Sequence, residues 1–118
     1  MPLVANTSEY GKAFEHFIIL EIYKMCEYLK NDYRLSYLRT KDDAEIDLIV
    51  ERPGEPDLLI EIKSTQNIQD HDVRALSKFV KTWDQSAEAI LLSKDDMSKI
   101  INSVRCYPWQ EGLKKFFS

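Results

Sequence analysis

The stretch that most constrains the fold is residues 44–64, where two apolar runs, Ala44–Glu51 and Asp57–Ser64, flank Arg52-Pro53-Gly54-Glu55-Pro56. Two prolines and a glycine cannot continue a β-ladder, so the runs read as two strands of a hairpin. Pairing them about Gly54 makes opposite residue numbers sum to 108: Val50 faces Leu58, Leu48 faces Ile60 and Ile46 faces Ile62. All six are apolar and, by strand alternation, share one face; a slip of one residue would set them against the charges of the other. That other face pairs Ile49 with Leu59, Asp47 with Glu61, and Glu45 with Lys63.

Helical spacing of Phe14, Phe17, Ile18, Ile22, Met25, Cys26 and Leu29 predicts a helix over about 8–30, with Asn6, Thr7 and Ser8 offering capping oxygens. Leu35–Arg39 reads as a first strand. Val73, Leu76, Phe79, Val80 and Trp83 predict a second helix capped by Asp70 or Asp72, and Ala87–Leu92 a further strand. A polar helix from about Asp95 is expected next, then a short strand at Val104–Tyr107 and a last helix opened by Pro108 and closed by Phe116-Phe117. The expected class is an α/β sandwich in the order α-βββ-α-β-α-β-α: a small mixed sheet of about 4–5 strands with helices on both faces. The second helix gives room for a parallel crossover from the third strand to the fourth.

At 118 residues with 44% hydrophobic and 31% charged residues, the chain has the size and composition of a single domain over 1–118 and not of a disordered segment. No apolar run approaches the ~18 residues of a membrane span, so a cytoplasmic protein is expected. Cys26 and Cys106 have no metal-type spacing and read as reduced, partly buried thiols. His16 and His71 lack ligand spacing. Gly11-Lys12 is followed by Ala13, so no phosphate-binding loop for ATP is present. The net charge of -4 at first argues against nucleic acid.

Two carboxylates opposed across a hairpin repel and call for a positive group between them. A divalent ion meets that need, since Mg²⁺ commonly takes one or two carboxylates with waters and a phosphate. Glu61-Ile62-Lys63 is the only acid-x-Lys triplet in the chain. Chance alone supplies about two in a chain so rich in acids and lysines, so its weight comes from the apolar strand around it and from Asp47 opposite. Pro56-Asp57 is a decoy: Asp57 lies four residues from Glu61 on one strand, ~13 Å away. An exposed face of surface salt bridges accounts for the same residues without a metal.

Together with Glu15 in the first helix, these residues resemble the PD-(D/E)xK, restriction-endonuclease-like nuclease superfamily. Gly11-x-x-Phe14-Glu15, Glu45-Ile46-Asp47, Glu61-Ile62-Lys63-Ser64 and Tyr107-Pro108-Trp109 are more narrowly similar to the nuclease-like domain that follows the ATPase module in many bacterial and archaeal AAA-type ATPases. Ile46 stands where the superfamily has proline. The resemblance implies that Asp47, Glu61, the Ile62 carbonyl and Glu15 hold Mg²⁺ or Mn²⁺ and that Lys63 activates water for phosphodiester hydrolysis in DNA. It equally allows a catalytically inactive module that binds DNA or docks to an ATPase, and a chain that is a C-terminal piece of a longer ATPase or a stand-alone relative. On this reading Glu15, Glu45, Asp47 and Glu61 against Lys63 hold -3 of the net -4, where an ion would use it. Arg74, Lys78 and Lys81 form a possible phosphate-contacting stripe on the second helix, a spacing that a plain solvated face also explains. Arg39-Thr40-Lys41 reads as a loop within reach of phosphate. Trp83, Trp109, Phe116 and Phe117 read as core, the last two alternatively as an interface, and a homodimer is a further partner to test.

Overall fold

The computed structural model describes residues 8–36, 47–83 and 86–118. Asn6, Thr7, the side chain of Ser8, Arg39-Thr40-Lys41, Glu45 and Ile46 lie outside the described residues, and with them the Ile46–Ile62 and Glu45–Lys63 pairs. The elements are α1 (Ser8–Leu29), β1 (Arg34–Ser36), β2 (Leu48–Glu51), β3 (Asp57–Ile62), α2 (Asp70–Lys81), β4 (Ala87–Ser93), β5 (Lys99–Ile101), β6 (Val104–Pro108) and α3 (Trp109–Phe117). The strands form one mixed sheet in the order β1-β2-β3-β4-β6-β5.

The hairpin forms in the expected register, with Leu48 against Ile60, Ile49 against Leu59 and Val50 against Leu58. Its turn has Pro53 followed by Gly54 at φ +76°, closed by the Glu55 N–H donating to the Arg52 carbonyl at 3.1 Å. That is type II geometry, in which the third position favours glycine. Arg52 is buried and clamps the turn, donating to the Pro56 carbonyl at 2.9 and 2.7 Å and pairing with Glu88 at 3.3 Å.

β3 and β4 run parallel through the α2 crossover, and β4 and β6 run parallel beside them. Alternation splits the core between the two sheet faces. Leu48, Val50, Leu58, Ile60, Ile62, Ile90 and Leu92 pack under α1 and α3. Ile49, Leu59, Ala89, Leu91, Val104 and Cys106 pack under α2 through Val73 and Leu76. α1 meets the sheet through Ile18, Ile22 and Cys26, spaced four apart and at most 5% exposed.

Four expectations change. The region after Asp95 is not a helix, so the described residues form three helices and six strands. Asp95 Oδ1 accepts the Met97 N–H at 3.0 Å, a local turn that competes with helix, and Lys99 then starts β5. Asn102 and Ser103 both have positive φ, 50° and 69°, forming the two-residue link between β5 and β6. At the start of α2 the capping position is Gln69, while Asp72 accepts the Gln69 N–H at 2.9 Å. Phe116 and Phe117 are buried, which removes them as an interface. Trp83 lies beyond the end of α2, and its indole N–H donates to Asp57 at 3.1 Å, which engages the decoy carboxylate.

Candidate functional site

Glu61 is the last but one residue of β3 and is 1% exposed. It has the parity of Leu59 and stands beside Leu91 of β4, so its side chain enters the layer between sheet and α2. Regular β2–β3 pairing ends at Leu48–Ile60. Just beyond, the Asp47 N–H donates to the Ile60 carbonyl at 3.0 Å, and Asp47 Oδ2 accepts the Ile62 N–H at 2.7 Å. Asp47 therefore spans the backbone on either side of Glu61. The two carboxylates are neighbours across the hairpin end, with Asp47 displaced from a simple opposed pair.

Lys63 follows on the same face. Its N–H donates to the Leu92 carbonyl at 2.9 Å, which carries the chain along β4, and its ammonium lies 3.9 Å from Asp72 Oδ1. Asp72 is 6% exposed and also lies 3.5 Å from His71. Asp95, 5% exposed, completes a polar layer under the N-terminus of α2: it accepts the Ile68 N–H at 2.9 Å and pairs with Lys99 at 2.8 Å. Burial raises the Asp95 pKa, but the hydrogen bond from Lys99 and those from the Ile68 and Met97 N–H groups outweigh it and hold the carboxyl at about 2. The Cys106 thiol senses the same layer. Burial pushes it up to about 11; Lys99 pulls it back, and Asp72, Asp95 and Glu61 add to the rise. Cys26, buried on the other face, is also pushed up to about 11 by burial, so both free cysteines are protonated at neutral pH.

Glu15 is not in this layer. It is half-buried on the sheet-facing stripe of α1, three residues before Ile18, and α1 packs on the opposite face from α2. Its end of the helix does approach the C-terminal end of β3: a Cβ on Gly11, one turn earlier, would lie 3.8 Å from Ser64 Oγ. There Lys94 donates a hydrogen bond to the Tyr10 hydroxyl and sits 4.8 Å over its ring. Among the described residues no three Asp, Glu, His or Cys side chains converge as a metal-holding group. Asp47 and Glu61 supply the hard oxygen donors that Mg²⁺ or Mn²⁺ takes, and at that level the residues fit such an ion; Glu15 does not join them.

A family profile described as a domain of unknown function, DUF4143, matches residues 10–111. The chain belongs to the DUF4143 family. The match contains the whole polar layer, and DUF4143 is usually the C-terminal domain of AAA-ATPase-like proteins. No curated protein and no solved structure gives a significant match to the chain. In this DUF4143 domain Arg74, Lys78 and Lys81 are all exposed on α2, with Arg74 paired to Asp70 at 3.2 Å. That pair and the Asn102 side chain lower the Asp70 pKa, Asn102 most. No helix among the described residues is long and apolar enough to cross a membrane.

The residues that sequence reasoning missed are Asp72 and Asp95 as buried members of the layer. Asp72 carries only the signature of a helix start. Asp95 and Lys99 have the i, i+4 spacing that a helical pair would also show, so their pairing in a turn leaves no distinct mark in the sequence.

Proposed function

We propose that this DUF4143 domain is a PD-(D/E)xK-type, metal-dependent nuclease module acting on phosphodiester bonds in DNA, in a cytoplasmic setting and attached to or partnered by an ATPase. The observation that carries the reading is the placement of Asp47 against the backbone on both sides of Glu61, with Lys63 next on the same face. Asp47 and Glu61 would hold the ion, with the Ile62 carbonyl as an adjacent backbone ligand. When bound, the ion would supply Lewis-acid polarisation of the phosphate and an activated water. The Ile62 N–H orients the Asp47 carboxylate. Asp72 holds the Lys63 ammonium at the rim of the layer, where it would balance charge on the phosphate. The apolar strands around Glu61 exclude water and strengthen every charge interaction there.

The test is cleavage of plasmid and linear DNA in Mg²⁺ or Mn²⁺ by the purified chain and by Glu61→Gln and Lys63→Ala. Metal-dependent cutting should fall at least about 100-fold in each variant. Residual cutting equal to wild type would mark a contaminant and end the proposal. A second reading, a non-cleaving nuclease-like module that binds DNA or docks to an ATPase, is favoured by the position of Glu15 on the far face of the sheet. Calorimetry separates the two: a chain that binds no Mn²⁺ supports the second.

A further inference from the structure

Among the described residues, five of the seven large hydrophobic side chains that remain exposed sit on α1: Phe17 (46%), Leu20 (45%), Tyr23 (39%), Tyr28 (84%) and Leu29 (57%). The inner stripe of α1 is already buried in the core, so all but Leu29 give the helix a second apolar surface facing solvent. Trp109 packs edge-on against Phe17 with ring centres 5.5 Å apart, which fixes that ring at the rim of the patch. The C-terminal end of the patch continues into an open groove of about 340 Å³ lined by Tyr23, Glu27 and Tyr33 among others. Among the described residues Glu27 is the one charged side chain in that lining, and an acid sharing a groove with two phenol rings is a receptor for a cation.

We infer that this face is a homodimer interface, two copies of α1 packing antiparallel about a twofold axis at Leu20. The charge pattern of the helix selects this occupant. Lys12 and Glu27, both exposed, lie eight residues before and seven after Leu20, about 12 and 10.5 Å along the axis, on its Tyr23 side. The twofold therefore sets Lys12 of each copy into the groove at Glu27 of the other, twice per dimer. On the other side of Leu20, Lys24 falls over the Phe17 ring of the second copy. A parallel pairing would oppose Glu27 to Glu27 and leave Lys12 without the groove.

Sedimentation velocity of the intact chain from about 5 to 500 µM tests this. The mass should rise with concentration from the 13.9 kDa of one chain towards twice that value. Leu20→Lys should weaken association at least 100-fold, and Lys12→Glu or Glu27→Lys about 10-fold, each with an unchanged circular dichroism melt. Mixing the Lys12→Glu chain with the Glu27→Lys chain should restore dimers, because each mixed pair has opposite charges at both contacts. A wild-type chain that stays monomeric at the highest concentration, a Leu20→Lys chain that associates like wild type, or mixed variants that do not associate would each overturn the assignment. So would protection of α1 amides from exchange only on addition of an AAA-ATPase-like domain, which would give the face to that partner.

Discussion

Replacing Asp47 by Asn leaves an oxygen for the Ile62 N–H but removes one of two carboxylates at the end of the β2–β3 hairpin. Across such a pair side chains lie roughly 5 Å apart, where two like charges cost about 3 kcal/mol at an effective dielectric constant of about 20. Lys63 on the same face offsets about 1 kcal/mol of this. Against the remainder stands the hydrogen bond to the Ile62 N–H at 2.7 Å, which is charge-assisted in the wild type and loses about 1 kcal/mol when the acceptor becomes neutral. The balance makes metal-free Asp47→Asn more stable by about 1 kcal/mol, a rise of about 4 °C in Tm. An ion held by Asp47 and Glu61 reverses the order, because at 100 times its Kd it stabilises the wild type by about 2.7 kcal/mol, or about 10 °C. Thermal melts of both chains in EDTA and in Mn²⁺ read this crossing directly. If the wild type melts higher in EDTA, Asp47 is a structural cap of β3 and not half of a repelling pair. If Mn²⁺ raises both chains equally, the ion binds elsewhere.

Three further outcomes test the framework around the site. Asp95→Asn leaves Lys99 beside a neutral group and weakens two backbone contacts, so it should cost about 3 kcal/mol by urea denaturation. Because the folded Asp95 pKa is lowered, its stabilisation is present above the unfolded value of about 4 and disappears as pH falls through about 2; the wild-type urea midpoint should drop across that window more than that of Asp95→Asn. A Cβ at Gly112 would lie 2.3 Å from Leu92 Cδ2, so Gly112→Ala should lose about 1–2 kcal/mol despite its better helix propensity, and Leu92→Ala in the same chain should relieve part of that clash, seen as a double-mutant coupling. Ser103 sits at φ 69° in the two-residue β5–β6 turn, so Ser103→Gly should raise stability by about 0.5–1 kcal/mol; a loss would show that the serine side chain supports the turn.

The hairpin was legible because two independent constraints agree on it. The Pro-Gly pair fixes the turn, and the alternation of Leu48, Val50, Leu58 and Ile60 allows only one register. That register brought Asp47 and Glu61 together from sequence. Their local geometry was not legible, since Asp47 leaves the ladder to take the Ile62 N–H, and such a departure leaves no mark in a hydrophobic pattern. Glu15 shows a second limit. Helical periodicity puts it on the inner stripe of α1 but carries no information on which sheet face that stripe will meet. The Asp95–Lys99 segment shows a third: spacing of four residues suits a helix, while tertiary partners at Ile68 and Met97 hold the same aspartate in a turn.

The acid excess of the chain now has a location. Asp47, Glu61, Asp72 and Asp95 against Lys63 and Lys99 carry a formal -2, half of the net -4, within the layer between the sheet and the N-terminus of α2. The members of that layer differ in what balances them. Asp95 has Lys99 at 2.8 Å and two backbone N–H donors, and Asp72 has the Gln69 N–H with Lys63 at 3.9 Å. Both lysines of the layer therefore already serve a carboxylate. On the proposed reading, a second ion extending to Asp72 would have to displace Lys63 or Lys99, a cost that favours one ion per chain at the hairpin end over a two-metal arrangement.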